Sequence, residues 1–414
     1  MLKALLHLCL VVLFTVCIAA CGGGSKSGKD QENPDPAVSS AIKNMLAEEW
    51  SVFQDQWGFS KGGVAVRLIT PSGNYFTSVG QGDNIDKNVH FRGASTTKTF
   101  TAASIMLMYQ QGLLDLEDTL DSLIPGTSRS YLPDTPDYNV PYKNLITIRH
   151  LLENRAGVFD ITNDRIPPDT DAPFAGMYYL DYVMEIQGQK EHTFSIDELV
   201  GVTAKYGRPY TAPGGEFHYS NIGFSMLGKI IERVSGMSYD EYIRTTFTEP
   251  LGLKNTSFPF LGTERGLPWP YAEGFTVYEG ETYETTEKNP SSGVASGNVI
   301  TTPGDLSLWI SLLLSGKAGV SPENAAMMMD VSATGEEHVW YGLGITYTEG
   351  LGFGHNGGGA GYLTMMRYDP ADNVAAVAFA SVVVAEDIYA LLNFMVSTAK
   401  KARALAGYPP QIQF

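Results

Sequence analysis

The strongest constraint on this chain is where its β-type runs fall. Gly63 to Thr70 (GVAVRLIT) and Tyr75 to Gly80 flank Pro71, Ser72, Gly73 and Asn74, so they read as a hairpin with a strong turn signal between its strands. The other such runs, Val339 to Tyr347, Tyr362 to Tyr368 and Val374 to Val383, with a turn at Asp369 to Asn373, come only near the far end. Between the two sets, to about residue 335, helical and irregular segments dominate. Helical spacing returns at both ends, in Ala37 to Trp57 (Ile42, Met45, Leu46, Trp50, Phe53) and from about Glu386 to Leu405. The expected fold is therefore α+β with α/β/α layers. One antiparallel β-sheet is built from the N- and C-terminal segments and flanked by helices, and a mostly helical region is inserted between its halves. The 414 residues, 43% of them hydrophobic, suffice for a sizeable core in one large or two intimate domains. No internal repeat is visible.

After the hairpin comes Phe91 to Gly112 (FRGASTTKTFTAASIMLMYQQG), an apolar helix with Ser95 and Lys98 at its start. Three residues along a helix is close to one turn, so the Ser95 hydroxyl and the Lys98 amine share a face. A serine needs a neighbour to take its proton, and a lysine with its pKa lowered by burial can do so. Helix N-terminal N–H groups would favour negative charge developing beside Ser95. Ser40 with Lys43 and Ser397 with Lys400 share the spacing, but they lie in amphipathic terminal segments where a solvated polar face accounts for them. Partner motifs must decide.

Two partners stand further along. Tyr219, Ser220 and Asn221 lie between a Pro-Gly-Gly turn and a helix ended by Ser235 and Gly236; a tyrosine there can relay protons once a lysine lowers its pKa, and Asn221 can orient the groups around it. Tyr142 to Asn144 repeats the spacing in a Pro-flanked loop. His355, Asn356, Gly357 and Gly358 lie in GFGHNGGGAGY, between two expected strands, where glycines let backbone press against a substrate and an N–H can face an oxyanion. A plain glycine-rich hairpin explains that stretch equally well on its own. The long connection from Phe159 to His192, rich in Pro and aromatics, either walls a cleft or packs as an insertion.

Taken in order, Ser95 to Lys98, Tyr219 to Asn221 and His355 to Gly357 resemble the motifs of the serine β-lactamase and penicillin-binding family. The resemblance is to the branch of class C β-lactamases, DD-carboxypeptidases and related esterases. ITIRHLLENRAGV (146–158), FTEPLGLKNTSF (247–258) and ASGNVITTPGDLSLW (295–309) look like that branch too, so the resemblance covers roughly residues 55 to 400. It implies an acyl-enzyme mechanism in which Ser95 attacks a carbonyl, Lys98 and Tyr219 share the base role, and the N–H groups of Ser95 and Gly358 form the oxyanion hole. Asn221, His355, Asn356, Gly357 and Gly358 would contact substrate. Cell-wall D-Ala-D-Ala-type peptides, D-amino-acid peptides, small esters and β-lactams all remain open as substrates. One departure is at His355-Asn356-Gly357, where β-lactamases of this branch carry Lys-Thr-Gly; it argues against efficient β-lactam hydrolysis. A histidine there would titrate near neutral pH and act as a fading cation; if it only packs, Arg92 or Arg155 would hold a substrate carboxylate.

The rival readings are weaker. Gly58 to Gly62 matches Gly-x-Ser-x-Gly, but Ser60 follows a helix and precedes a strand, the inverse of a nucleophile elbow. No His-x-x-x-His pair is present, so neither metal nor cofactor is expected. A catalytically silent protein that binds cell-wall peptides or a protein partner would be expected to have lost one of the three motifs. Residues 1–20 read as a signal peptide, and Ile18 to Cys21 resembles a bacterial lipoprotein processing site that would leave Cys21 acylated. A flexible tether at 21–36, a hydrolase domain at 37–408 and a tail at 409–414 complete the expected division. Cys21 would be the one mature cysteine, so packing alone must hold the fold. Gly22 rather than aspartate after it points to an outer membrane, or otherwise to the periplasmic face of the inner one. A net charge of −17 without a basic run argues against nucleic acid as a partner.

Overall fold

The computed structural model of the chain describes residues 32–82, 85–336 and 339–411. Its centre is an eight-stranded antiparallel sheet. In spatial order the strands are β2 (Gly73–Val79), β1 (Val64–Thr70), β12 (Val374–Ala380), β11 (Tyr362–Asp369), β10 (Gly352–Gly359), β9 (Thr346–Thr348), β8 (Trp340–Tyr341) and β7 (Ser332–Ala333). The two ends of the chain meet where β1 pairs with β12, Val66 opposite Ala378. β12 is buried along its whole length, which is why it reads as a continuous apolar run instead of an alternating one.

Helices cover both faces. On one side α1 (Pro36–Trp57) and α10 (Ile388–Leu405) pack Ile42, Leu46, Trp50, Phe53, Leu391 and Met395 onto Val64, Val66 and Leu68. Asp35 caps α1 by accepting from the N–H groups of Ala37 and Val38, and Gly58, with φ of 68°, ends it. On the other side α8 (Pro303–Leu314) lies against the sheet, and its Trp309 ring stacks 3.9 Å from Phe100 of α2 (Thr97–Gln110). The inserted region holds α3 (Ile148–Leu152), α4 (Tyr179–Asp181), α5 (Ile196–Tyr206), α6 (Asn221–Ser235), α7 (Tyr239–Ile243) and α9 (Pro322–Met328). Two small sheets join it to the rest. β3 (Phe91–Ala94) pairs with β6 (Val299–Thr301), and β4 (Phe275–Tyr278) lies between β5 (Glu281–Glu284) and β13 (Val382–Val384).

The α/β/α architecture agrees with the expectation, and the strand boundaries correct it in three places. Val339 to Tyr347 is two short strands parted by a turn in which Gly344 has φ of 69°. Val374 to Val383 breaks at Ser381, after which the chain leaves the main sheet to pair in parallel with β4. GFGHNGGG is a full strand, β10, although glycine is the residue least suited to one. No helix among the described residues is long and apolar enough to cross a membrane. Cys21 and the expected signal peptide lie outside the described residues.

Candidate active site

Ser95 sits in the turn between β3 and α2. Ala94 before it has φ of 46°, a left-handed conformation that is strained for a residue with a Cβ. The turn closes with the Lys98 N–H donating to the Ser95 carbonyl at 3.0 Å. Helix α2 begins only at Thr97, so a tight i to i+3 turn, instead of an α-helical one, brings serine and lysine together. Their side chains then meet, Lys98 Nζ lying 3.3 Å from Ser95 Oγ.

Lys98 is fully buried, and its other contacts define what it can do. Nζ donates to Asn221 Oδ1 at 2.6 Å and to the Ser296 carbonyl at 2.8 Å. Both oxygens only accept. A neutral amine has two N–H groups and one lone pair; with both N–H groups spent there, the lone pair is left for the Ser95 hydroxyl. Burial lowers the Lys98 pKa to about 7, against the opposing pull of the Asp160 carboxylate, so neutral amine and ammonium are both accessible near neutral pH.

Tyr219 stands immediately before α6, whose N-cap is Ser220, with the Ser220 hydroxyl accepting from the Gly223 N–H. Its hydroxyl hydrogen-bonds Ser95, and Lys98 Nζ lies 4.7 Å from its ring centre. The expected lowering of its pKa is not what the surroundings produce. Burial raises it, and Asp160 adds to the rise, so Tyr219 is a neutral phenol beside an amine that gives up its proton far more readily. Lys98 is thus suited to accepting a proton and Tyr219 to donating one, two capacities the sequence left merged.

Asp160 is a supporting group that sequence reasoning missed. Its carboxylate accepts from the Asn221 N–H (2.8 Å), the Thr162 N–H (3.0 Å), the Thr162 hydroxyl (2.6 Å) and Asn163 Nδ2 (2.9 Å). Burial pushes its pKa up and these donors oppose that; with donors on both oxygens it stands as a carboxylate. Thr162 Oγ1 in turn accepts from Asn221 Nδ2 at 2.9 Å, which fixes the amide so that Oδ1 faces Lys98.

His355 corrects a second expectation. It is 4% exposed, and its Nδ1 lies 2.5 Å from the Asn356 carbonyl, an acceptor only, so Nδ1 carries the proton. Nε2 then accepts from the Tyr341 hydroxyl at 3.1 Å. Burial, with Lys98 nearby, lowers its pKa to about 3, so it is a neutral side chain behind Tyr219 and no titrating cation. Asn356 does not face the cleft either, its Oδ1 accepting from Arg367 Nη2 at 2.8 Å. Gly357 serves by having no side chain, since a Cβ there would lie 2.0 Å from the Gly93 carbonyl oxygen. Only such close approach brings β10 against the Ser95 turn.

A cleft of about 980 Å³, counted out to its open mouth, lies over Ser95. Asn221, Ser296, Gly358 and Gly359 line it, as do Thr162, Leu180 and Met184 from the long Phe159 to His192 connection, which thus does wall the cleft. Arg155 is elsewhere, its guanidinium taken by the carbonyls of Gly215 and Ala333. No group of His, Cys, Asp and Glu suited to a metal ion occurs among the described residues.

A buried lysine poised on a serine at the junction of an antiparallel sheet and a helical region is the arrangement of serine hydrolases of the Ser-x-x-Lys type. The chain belongs to the beta-lactamase family, whose model matches residues 54–392. Penicillin-binding protein 4* of Bacillus subtilis (strain 168) is 28% identical over 298 residues, 68% of this chain and 58% of that protein. Protein flp of Staphylococcus aureus is 30% identical over 199 residues, 46% of this chain and 34% of that protein. The chain thus spans little more than half the length of the first of these relatives and a third of the second. Among solved structures, a D-stereospecific amidohydrolase from Streptomyces sp. superposes with a TM-score of 0.71 at 22% identity, covering 88% of this chain and 98% of that one. D-amino acid amidase from Ochrobactrum anthropi SV3 gives 0.69 at 21% identity, covering 90% and 99%. These last two establish the fold.

Proposed function

We propose that this chain hydrolyses amide or ester bonds through an acyl-enzyme on Ser95. The observation that carries the reading is the set of contacts around Lys98, which spends two N–H groups on Asn221 and Ser296 and leaves its lone pair to the Ser95 hydroxyl. Ser95 Oγ attacks the substrate carbonyl carbon as its proton passes to Lys98 Nζ. The oxyanion that forms is held by the N–H groups of Ser95 and Gly358, each such donor being worth roughly 3 kcal/mol in the transition state. Tyr219 gives its proton to the departing nitrogen or oxygen and regains one from the Lys98 ammonium, which holds the proton that left Ser95. Water then attacks the acyl-enzyme by the same path in reverse.

The names of the solved relatives favour amides of D-configured amino acids over simple esters as the natural substrate class. Export with lipid anchoring at Cys21 is part of the proposal and rests on the N-terminal sequence alone. Fluorophosphonate treatment followed by peptide mass spectrometry tests the chemistry. The adduct is expected on Ser95 and absent from Ser95→Ala; an adduct on Ser40, Ser60 or Ser397 would refute it. For the anchor, Cys21→Ala should move the protein from the membrane to the soluble fraction.

A further inference from the structure

We propose that Lys288 makes the cleft select substrates that carry an anionic group, and turn away those with a free ammonium, whichever amide or ester Ser95 attacks. The inference rests on the acyl-enzyme reading of Ser95. Although acids outnumber bases 45 to 28 in the chain, the charged side chains lining the cleft are Arg92 and Lys288, with no acid among the lining residues. Arg92 is committed to structure. Its Nε and Nη2 donate to the Thr286 carbonyl at 3.2 and 3.1 Å, and Nη2 donates also to the Arg265 carbonyl at 2.5 Å. Lys288 Nζ has neither a hydrogen bond nor an ion pair among the described residues.

Its position is what separates it from an ordinary solvated lysine. A Cβ added to Gly359 would lie 3.4 Å from Lys288 Nζ, which puts the amine beside the end of β10, one residue beyond the expected oxyanion donor Gly358. The backbone that carries it is tied down on both sides. The Lys288 N–H donates to the Arg265 carbonyl at 3.2 Å, and Asn289 Nδ2 donates to the carbonyls of Lys190 (3.2 Å) and His192 (2.8 Å). Burial of the amine and then the Arg92 charge pull its pKa down. The residue as a whole is exposed, however, and water reaching the side chain opposes that pull. An unpaired ammonium held on a cleft wall attracts a carboxylate and repels an α-ammonium, which is specificity by repulsion as much as by attraction. A free D-amino acid amide carries that ammonium. An N-acylated peptide does not.

The test uses the full chain and three fluorophosphonates alike but for a carboxylate, a methyl ester or an ammonium at the end of a short alkyl tail. The rate of labelling at Ser95 is followed by intact mass, the neutral probe serving as reference within each variant. The expected order is anionic over neutral over cationic, with at least a tenfold preference for the carboxylate probe over the neutral one. Lys288→Gln should lower that ratio several-fold, to the remainder that the Arg92 charge sustains, and Lys288→Glu should lower it further. Equal rates for all three probes, or a ratio unchanged in Lys288→Gln, would overturn the role of Lys288 and leave Ser95 as nucleophile. No labelling by any probe would overturn both.

Discussion

Lys98 donates to Asn221 Oδ1 at 2.6 Å across 123 residues of sequence, and this bond joins the serine turn to the helix that follows Tyr219. It joins two short motifs into one hydrogen-bonded unit. Because Asn221 is itself held by Asp160 and Thr162, the lysine amine has one orientation, with its remaining position toward Ser95.

The pH profile should follow that amine. With its pKa lowered to about 7, Lys98 carries an extra proton below neutrality and cannot accept one from Ser95. For a neutral ester, kcat/KM should rise about tenfold per pH unit below pH 7 and level off above it. Asp160 favours the charged amine, so Asp160→Asn should move the rise to lower pH while lowering the plateau through lost hydrogen bonds. Lys98→Met should cost ~10² to 10⁴ in kcat/KM at every pH. An Asp160→Asn profile that keeps the wild-type midpoint would show that the carboxylate does not act on the lysine.

Gly357→Ala should separate activity from stability. The new methyl would fall 2.0 Å from the Gly93 carbonyl oxygen, a backbone atom that cannot rotate away, so β10 must withdraw from the Ser95 turn. A displacement near 1 Å at reacting atoms costs on the order of 10² in rate. The measured drop in kcat should therefore exceed what any shift in urea midpoint accounts for.

How much of this was legible in the sequence follows from which residues signal themselves. β1, β11 and β12 are rich in β-branched and apolar residues, so the sheet shared between the two ends could be read directly. β10 could not, because its glycines mimic a loop; they are there for the close approach to Gly93. The Ser95, Lys98 and Tyr219 positions were legible from motif order, but their division of labour depends on burial, which a sequence does not show. Asp160 and Lys288 sit in stretches with no local pattern, Tyr341 reads only as part of a strand, and the fold alone brings all three to the site.

Arg403 should prove the most sensitive position far from the cleft. It is 1% exposed on α10 and pairs with Asp369 at 2.6 Å and with Asp372, while also donating to the carbonyls of Gly350 and Tyr408. This ties the last helix to the turn between β11 and β12. Arg403→Met leaves the buried Asp369 without its cation and should cost roughly 3 to 5 kcal/mol. Urea unfolding followed by tryptophan fluorescence reads it directly; a loss under about 1 kcal/mol would mean that Asp369 finds another partner.

Acid stability offers a test of the neutral His355. In the unfolded chain a histidine binds its proton near pH 6.5, whereas in the fold burial and Lys98 hold the His355 pKa at about 3. Between those values the unfolded state takes up a proton that the folded state refuses, so each unit of acidification below 6.5 favours unfolding. The contribution is complete above pH 6.5 and is lost as pH falls toward 3. From pH 7 to pH 4.5 the loss is about 2 to 3 kcal/mol from this residue. His355→Gln does not titrate, so although it is less stable than the wild type at pH 7 for want of the histidine's packing, the gap should narrow by that amount at pH 4.5. Paired urea titrations at the two pH values measure it. A gap that stays constant would mean that His355 protonates inside the fold, and would restore it as a titrating cation beside Tyr219.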